Sequence, residues 1–193
     1  MSLGPSSLAR SLACAAGVAL ALSLPQGVAF AAGGGGGGGG GNGASSDMTT
    51  CPKGEVWSHR KHKCLKEQSG VLPDDELTDY AYALAKADRY AEAIGVLDLL
   101  KDPNTPKALN YRGYATRHVG KLDEGISYYL KSVALAPHYA KVREYLGEAY
   151  VIKGRLDLAG EQLKAIKAIC GTHCEEYEDL SKAISNPSEL EDG

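Results

Sequence analysis

The chain has 193 residues and a formal net charge of −3, with 44% hydrophobic and 23% charged residues. This length is enough for one modest domain with appendages. The slight acidity argues against a nucleic-acid partner, because surfaces that bind nucleic acids are basic.

The first 31 residues are predicted to be an export signal. Arg10 is the only basic side chain before an apolar run, Leu12 to Leu24, and Ala29-Phe30-Ala31 supplies the small residues of a cleavage site. The run is short for a bilayer span, so no stable membrane span is expected after cleavage. An uncleaved anchor is the alternative. We therefore expect an exported protein that is periplasmic or secreted.

A glycine-rich segment, residues 32–50, follows the predicted signal and contains an unbroken run from Gly33 to Gly41. Glycine loses more backbone freedom on ordering than any other residue and has no side chain to bury. The segment is therefore predicted to be a disordered linker. No Gly-Lys-Ser/Thr sequence follows it, which argues against a phosphate-binding loop.

Residues 51–68 form a small basic loop bracketed by Cys51 and Cys64. Two hypotheses compete for its cysteines: a disulfide-closed hairpin, or a metal site that also uses His59 and His62. The oxidising compartment and the even number of cysteines after signal removal favour the disulfide. The neighbouring basic side chains would also repel a cation. These basic residues are predicted to form either a solvated loop or a docking patch for an anionic surface or acidic partner.

Residues 74–171 repeat a pattern of paired helices at a period of 34 residues. Gly113 lies 34 residues before Gly147, and the turns Gly120-Lys121-Leu122-Asp123 and Gly154-Arg155-Leu156-Asp157 are nearly the same peptide. A fixed period of this length, with two helical patterns in each period, is the signature of the tetratricopeptide repeat. The chain therefore resembles the tetratricopeptide repeat family.

The resemblance implies an all-α, right-handed superhelix of three helix pairs, the first being a shorter copy from about Asp74 to Thr105. In this family, a small residue midway along the first helix of a pair lets the second helix pack closely. Gly113 and Gly147 take this position. The glycine after the first helix, Gly120 or Gly154, suits the left-handed conformation that commonly ends a helix.

Residues 174–185 are predicted to form a C-terminal capping helix. Tyr177, Leu180 and Ala183 share one side at helical spacing, and the rest of the segment is acidic. A terminal repeat cap needs one buried face and one wet face of this kind. The tail, residues 186–193, has little to bury and is expected to fray.

The second cysteine pair, Cys170 and Cys174, flanks a predicted helix break at Gly171. A turn at this glycine can bring the two thiols within bonding distance. The thioredoxin-like motif has two residues between its cysteines, whereas this pair has three. We therefore predict a structural disulfide that fastens the capping helix to the solenoid, with a redox-active pair as the alternative.

The resemblance also implies where a partner would bind. Repeats of this family stack so that their first helices line a concave groove, and a mixed polar and aromatic wall suits an extended peptide or a helix. A clamp for a C-terminal carboxylate, which some family members have, is disfavoured because Asp75 and Asp79 would repel it. The groove residues mapped by resemblance are Thr78, Tyr82, Lys107, Asn110, Tyr114, Arg117, Lys141, Glu144 and Glu148.

The sequence contains no catalytic motif such as a nucleophile elbow or a His-Glu-x-x-His pair. His118 and His138 are isolated and are expected to be ordinary surface residues. We therefore expect no enzyme, no cofactor and no metal site.

The predicted function is an adaptor or scaffold of the bacterial envelope that binds a protein or peptide segment in its groove. The short Cys-Pro-Lys-Gly…Cys element resembles appendages of other exported bacterial repeat proteins. The alternative is a structural module that self-associates or anchors to a surface through the basic loop. A redox or metal-binding protein that uses the cysteine pairs is a third class.

Overall fold

The structure is a computed structural model that describes residues 50–68 and 70–190. The predicted signal, nearly all of the predicted linker and the last three residues lie outside this part. None of the described helices combines the length and the hydrophobicity needed to cross a bilayer. The elements are β1 Glu55–Ser58, β2 Lys63–Lys66, α1 Asp74–Lys86, α2 Tyr90–Leu97, α3 Pro106–His118, α4 Leu122–Leu135, α5 Ala140–Ile152, α6 Leu156–Cys170, α7 Glu175–Ser185 and a 3-10 turn, Pro187–Leu190.

The helices α1 to α6 form three consecutive pairs, as the sequence period predicts. The two helices of a pair pack on each other, and neighbouring pairs meet through α2 with α3 and through α4 with α5. The first helices of successive pairs also touch. The helix packing therefore runs from each pair to its neighbours in sequence, as in a solenoid.

A side-chain cap fixes the start of α3, whereas the first residue of α1 bonds to a distant loop. The Thr105 side chain accepts a hydrogen bond from the N–H of Ala108 at 3.2 Å, and a proline occupies the first turn of α3. At the start of α1, the Asp74 carboxylate accepts from the N–H groups of Lys101 and Asp102, at 3.1 and 2.8 Å. These bonds tie the first helix to the loop that follows the second.

Two glycines set the spacing within the middle pair. A Cβ atom added to Gly113 would lie 2.7 Å from the ring of Tyr129 and 3.0 Å from the carbonyl oxygen of Gly125. A Cβ atom added to Gly125 would lie 2.9 Å from the carbonyl oxygen of Gly113. The helices α3 and α4 thus approach backbone to backbone, which agrees with the small residue predicted at Gly113.

Gly147 makes room for a different neighbour than the family resemblance implies. A Cβ atom added there would lie 2.5 Å from the side chain of Leu180, which is fully buried in α7. The expected neighbour was α6, the second helix of the same pair. The difference arises because the capping helix packs on α5 and α6, in the place where the first helix of a further pair would lie.

The turns inside the three pairs use a left-handed residue. Gly120 and Gly154 have φ values of +84° and +73°. Asp88 takes the equivalent place in the first pair with φ +59°, in a region where aspartate is tolerated better than most non-glycine residues. Its carboxylate accepts a hydrogen bond from the hydroxyl of Tyr90 at 2.7 Å.

The strands β1 and β2 form an antiparallel hairpin that packs on the first helix pair. A disulfide joins Cys51 to Cys64, as predicted, across a Cα–Cα distance of 5.8 Å. The Tyr80 hydroxyl accepts from the N–H of Cys51 at 2.8 Å and donates to the carbonyl of Glu55 at 3.2 Å. The Arg89 guanidinium donates to the carbonyl of Cys51 at 2.7 Å. The hairpin is thus fastened to both helices of the pair.

The other end of the solenoid is closed by α7. A disulfide joins Cys170 to Cys174, as predicted, with a Cα–Cα distance of 6.0 Å. The turn between them contains Gly171, with φ +84°. Beneath α7, the buried side chains of Ile166 and Leu180 form a small cluster of their own.

The tail differs from its expected fraying at residues 187–190. This segment forms a 3-10 turn, and the Glu189 carboxylate pairs with the Lys182 ammonium at 2.9 Å. Leu190 also packs against the apolar cluster beneath α7. The tail therefore does bury an apolar side chain, which the sequence analysis did not assign to it.

Candidate functional site

A cleft of about 600 Å³ opens on the face that α1, α3, α5 and α7 share. Three of these are the first helices of their pairs, so the cleft lies where the resemblance places a groove. Its lining also takes in the 3-10 turn after α7. The lining residues are Tyr82, Lys86, Tyr114, Arg117, His118, Gly120, Leu122, Lys141, Glu144, Tyr145, Glu148, Ile152, Glu175, Asp179, Glu189 and Leu190.

The structure brings six of the nine predicted groove residues together in this cleft. They come from three different helices that are distant in sequence, and they include aromatic, basic and acidic side chains. The six residues are Tyr82, Tyr114, Arg117, Lys141, Glu144 and Glu148.

The other three predicted residues do not line the cleft. Thr78 is buried, and its hydroxyl donates to a backbone carbonyl one turn earlier in α1 at 2.6 Å. Asn110 is fully buried because Tyr139, just before α5, covers it, and the Asn110 amide donates to the Tyr139 hydroxyl at 3.2 Å. Lys107 forms an ion pair with Asp79. Helical spacing identifies the helices that line the cleft. It does not show which groove positions on those helices are buried or paired by a neighbouring side chain.

Three tyrosines form an aromatic wall in the cleft. The ring of Tyr114 lies 5.0 Å from that of Tyr145 and 6.4 Å from that of Tyr82, between ring centroids. The Tyr82 and Tyr145 hydroxyl oxygens are 3.3 Å apart and share a hydrogen bond. Burial raises the pKa of Tyr145 far above its usual range. The wall therefore stays uncharged and offers ring faces and hydroxyls to a ligand.

Arg117 and Glu148 form an ion pair in the cleft, with side chains only 7% and 14% exposed. The Arg117 guanidinium donates to the Glu148 carboxylate at 3.0 Å and to the carbonyl of Tyr145 at 3.3 Å. The guanidinium carbon also lies 5.6 Å from the ring centroid of Tyr114. Because removing one partner would leave the other buried and unpaired, this pair fixes the local geometry.

A second charged group joins α5 to α7 at the edge of the cleft. The Lys141 ammonium lies 2.8 Å from a carboxylate oxygen of Glu144 and 3.1 Å from one of Glu175. Glu144 is 2% exposed, and burial raises its pKa to about 7 although Lys141 acts in the opposite direction. The nearby carboxylates of Glu148 and Asp179 raise this pKa further.

His118 is not the ordinary surface residue that the sequence suggested. Its ring stacks on Tyr90, with centroids 4.6 Å apart, and lies 4.5 Å from the ring of Tyr114. Burial lowers its pKa to about 4, and the positive charge of Arg117 adds to this effect. At neutral pH the imidazole is therefore uncharged, and it packs against Tyr114 at the edge of the aromatic wall.

The cleft carries an excess of negative charge. Its lining holds five carboxylates and three cations, and two of the cations, Arg117 and Lys141, are paired with carboxylates. Lys86 lies 5.9 Å from the ring centroid of Tyr114. Asn110, Arg117 and Lys141 are the residue types that a carboxylate clamp would use, but Asn110 is buried and does not line the cleft. A negatively charged ligand would meet repulsion from most of the rim.

The cysteines of the described part are joined in pairs, which removes the thiolates that a metal site would use. Cys170, Cys174 and Glu176 bring ligand atoms within 4.8 Å of one another, but the two sulfurs are bonded to each other. The metal alternative at the hairpin loses Cys51 and Cys64 in the same way.

Sequence reasoning missed the contribution of the chain's C-terminal part to the cleft. Glu175 and Asp179 of α7 and Leu190 of the 3-10 turn all line it. The sequence predicts α7 only as a cap. The spacing of Glu175 and Asp179, one helical turn apart on the acidic side, is a signal that could have identified a second role.

No protein-family model matches the chain, and no protein of curated function matches it either. Solved structures do share its fold. One is the first TPR domain of human RPAP3, with a TM-score of 0.51 and 22% identity over 62% of this chain and 96% of that one.

Two further structures contain peptides. The first TPR of Spaghetti (RPAP3), bound to the HSP90 peptide SRMEEVD, has a TM-score of 0.50 and 23% identity over 60% of this chain and 95% of that one. SycD of Yersinia enterocolitica, in complex with a peptide of the translocator YopD, has a TM-score of 0.50 and 20% identity over 64% and 95%. These likenesses establish the fold as the right-handed tetratricopeptide type that the repeat period predicts.

Proposed function

We propose that this protein is a non-enzymatic interaction module that binds a protein or peptide segment in the cleft. One observation carries the proposal: the first helices of the repeats and α7 together line an open cleft of about 600 Å³ with tyrosine rings and charged groups. Aromatic anchors surrounded by polar groups are typical of sites where binding energy concentrates. Two proteins of the same fold hold peptides, which supports this use of the fold.

A binding role accounts for the chemistry of the cleft better than a reaction does. His118, the histidine that lines it, stacks on Tyr90 and has its pKa lowered to about 4, so it is a poor proton acceptor at neutral pH. Among the described residues, Cys51, Cys64, Cys170 and Cys174 are bonded in pairs and supply no thiolate. Arg117 and Glu148 are held in one ion pair, and Lys141 is paired with Glu144 and Glu175.

The proposed setting is the bacterial envelope, as an exported adaptor or scaffold. The N-terminal sequence has the pattern of an export signal. The two disulfides suit an oxidising compartment. Cell fractionation followed by thiol alkylation tests this setting: we expect the protein outside the cytoplasm and unreactive at Cys51, Cys64, Cys170 and Cys174. Recovery in the cytoplasm with alkylated cysteines would contradict it.

The experiment for the cleft compares two tyrosine-to-alanine variants. Tyr82→Ala removes a ring from the cleft wall, whereas Tyr128→Ala removes an equally half-buried ring from α4, outside the cleft. We expect recovery of co-purifying protein to fall about 10-fold or more for Tyr82→Ala, as is typical of aromatic anchors. We expect no change for Tyr128→Ala.

Circular dichroism and thermal unfolding should be matched between these two variants before their recoveries are compared. Tyr82 also stacks on Tyr111, with centroids 4.3 Å apart, so some loss of stability is expected. Equal recovery by the two folded variants would contradict binding in the cleft.

A further inference from the structure

The charges of the described chain are separated between its N-terminal hairpin and its repeats. Residues 50–68 contain five basic and two acidic side chains, whereas residues 70–190 contain fifteen basic and nineteen acidic ones. The hairpin region is therefore net positive and the rest net negative. We use the name basic hairpin for the five cationic residues of the first region, which are Lys53, Arg60, Lys61, Lys63 and Lys66.

The cations of the basic hairpin form no ion pair within residues 50–68 and 70–190. All five are exposed, and the ion pairs of the described part of the chain do not include any of them. Five like charges held together repel one another, which costs stability unless an anion comes near. The arrangement is therefore the opposite of the paired charges in the cleft.

The hairpin backbone is fixed to the helices beneath it. Cys51 and Val56 are buried in the main core, and Tyr80 and Arg89 hydrogen-bond to the backbone at Cys51. The N–H of Glu67 donates to the carbonyl of Gly54 at 2.9 Å and closes the open end of the hairpin. The hairpin closes the end of the solenoid, which explains why Cys51 and Val56 are buried. This structural role does not require the hairpin to have five exposed cations.

We infer that the basic hairpin docks on the surface of a membrane that contains anionic lipids. Clusters of four to eight Lys or Arg residues at a membrane surface are typical of proteins that bind anionic lipids. Arg60, Lys61 and Lys63 lie at the turn between the strands, whereas Lys53 and Lys66 lie near the open end of the hairpin. All five are exposed and none lines the cleft, so they suit an extended anionic surface rather than a single enclosed ligand.

The choice of a membrane over other polyanions follows from the rest of the molecule. Trp57 of the hairpin is packed against the core, so its indole ring is not presented as a platform for stacking nucleobases. The net negative repeats would be repelled by the same surface. The hairpin would therefore be the part in contact, with the repeats turned away from the lipid.

Vesicle flotation of the full chain tests this inference. We compare vesicles of phosphatidylcholine alone with vesicles in which about one quarter is phosphatidylglycerol, a content chosen to give a negative surface potential. We expect binding to the anionic vesicles only. Raising the salt from about 50 mM to about 500 mM should release the protein, because the screening length becomes short.

Two double variants locate the contact. Arg60→Ala with Lys61→Ala removes two charges from the basic hairpin. The loss of each of these charges is expected to lower the membrane partition constant about 5-fold. Lys164→Ala with Lys167→Ala removes two exposed charges from α6 and should change binding less than about 2-fold if the contact is local. Both pairs of positions are exposed, so far-ultraviolet circular dichroism should be unchanged.

Three results would overturn the inference. Equal losses in the two double variants would show that overall charge, and not the hairpin, decides binding. Equal binding to neutral vesicles would assign any attachment to apolar insertion, for example by the run from Leu12 to Leu24. Tight binding of a polyglutamate peptide without vesicle binding would assign the hairpin to an acidic protein partner. Neither double variant touches the cleft, so partner recovery is a separate measurement.

Discussion

At the scale of single residues, Gly113 and Gly125 allow α3 and α4 to touch through their backbones. A Cβ atom at Gly113 would lie 2.7 Å from the ring of Tyr129, which is fully buried and has no space to move into. Gly113→Ala is therefore expected to lower the free energy of unfolding by about 1–3 kcal/mol, the usual cost of overpacking a core. Urea unfolding measures this change.

Gly160 provides the matched control for this substitution. It lies within α6, and a Cβ atom there would meet nothing within 4 Å. Gly160→Ala should therefore raise the free energy of unfolding by up to about 1 kcal/mol, because alanine favours the helix over glycine. A loss of stability in both variants, or in neither, would mean that the close approach of α3 and α4 is not what requires Gly113.

The buried carboxyl of Glu144 makes a second prediction at this scale. Its pKa is raised from the usual 4.5 to about 7 by burial, and the carboxylates of Glu148 and Asp179 add to the rise, while Lys141 opposes it. The folded protein thus holds this proton more tightly than the unfolded chain. Its contribution to stability is complete below about pH 4.5 and is lost as the pH rises through about 7.

Glu144→Gln removes this titration while keeping the size of the side chain. The variant should gain stability relative to the natural protein between about pH 5 and pH 8, by on the order of 1–3 kcal/mol. Its ammonium neighbour, Lys141, keeps Glu175 as a partner. Urea unfolding at both pH values measures the difference. A constant difference across this range would show that Glu144 titrates below it.

At the scale of elements, the repeat period predicted the order and pairing of α1 to α6. Each period contains two helices, and its recurring small and apolar residues mark the helix faces that are buried. It also indicated the left-handed turns, which the positive φ values of Gly120 and Gly154 confirm. These features depend on local spacing and backbone conformation. Local spacing and the positions of glycines can be identified from the sequence alone.

The features that sequence reasoning missed depend on contacts between distant elements. Asn110 lies at a groove position by spacing, yet Tyr139 covers it. The side chain nearest to Gly147 belongs to Leu180 of α7, a helix outside the repeats. Spacing states which side of a helix a residue occupies, but the neighbour on that side is decided by how separate elements pack.

At the scale of the whole molecule, both ends of the solenoid are closed by elements that do not belong to a repeat. The hairpin covers the first pair, and α7 with its 3-10 turn covers the last. In such a molecule each pair is stabilised only by its neighbours, so an uncovered end weakens the chain locally. The contribution of α7 to stability can be measured by shortening the chain.

Two truncations separate the contribution of α7 from that of the tail. A chain ending at residue 171 loses the burial of Leu180 and exposes Ile166, both of which are fully buried. Burial of each large apolar side chain contributes about 1.5–3 kcal/mol. The free energy of unfolding should therefore fall by several kcal/mol, which lowers the urea midpoint. A chain ending at residue 186 loses the turn with the partly buried Leu190 and the exposed ion pair of Glu189 with Lys182. Its free energy of unfolding should change by less than about 1.5 kcal/mol.

The urea dependence of these truncations distinguishes a local from a global role for α7. If α7 stabilises the whole solenoid, the chain ending at residue 171 should still unfold in one transition at a lower midpoint. If it stabilises only the last pair, α5 and α6 should unfold first and give a separate transition, as solenoids with weak ends do. Because Lys141, Glu144, Tyr145 and Glu148 line the cleft from α5, either result predicts that partner recovery falls in this chain. Full recovery by a chain that lacks α7 would place the binding site elsewhere.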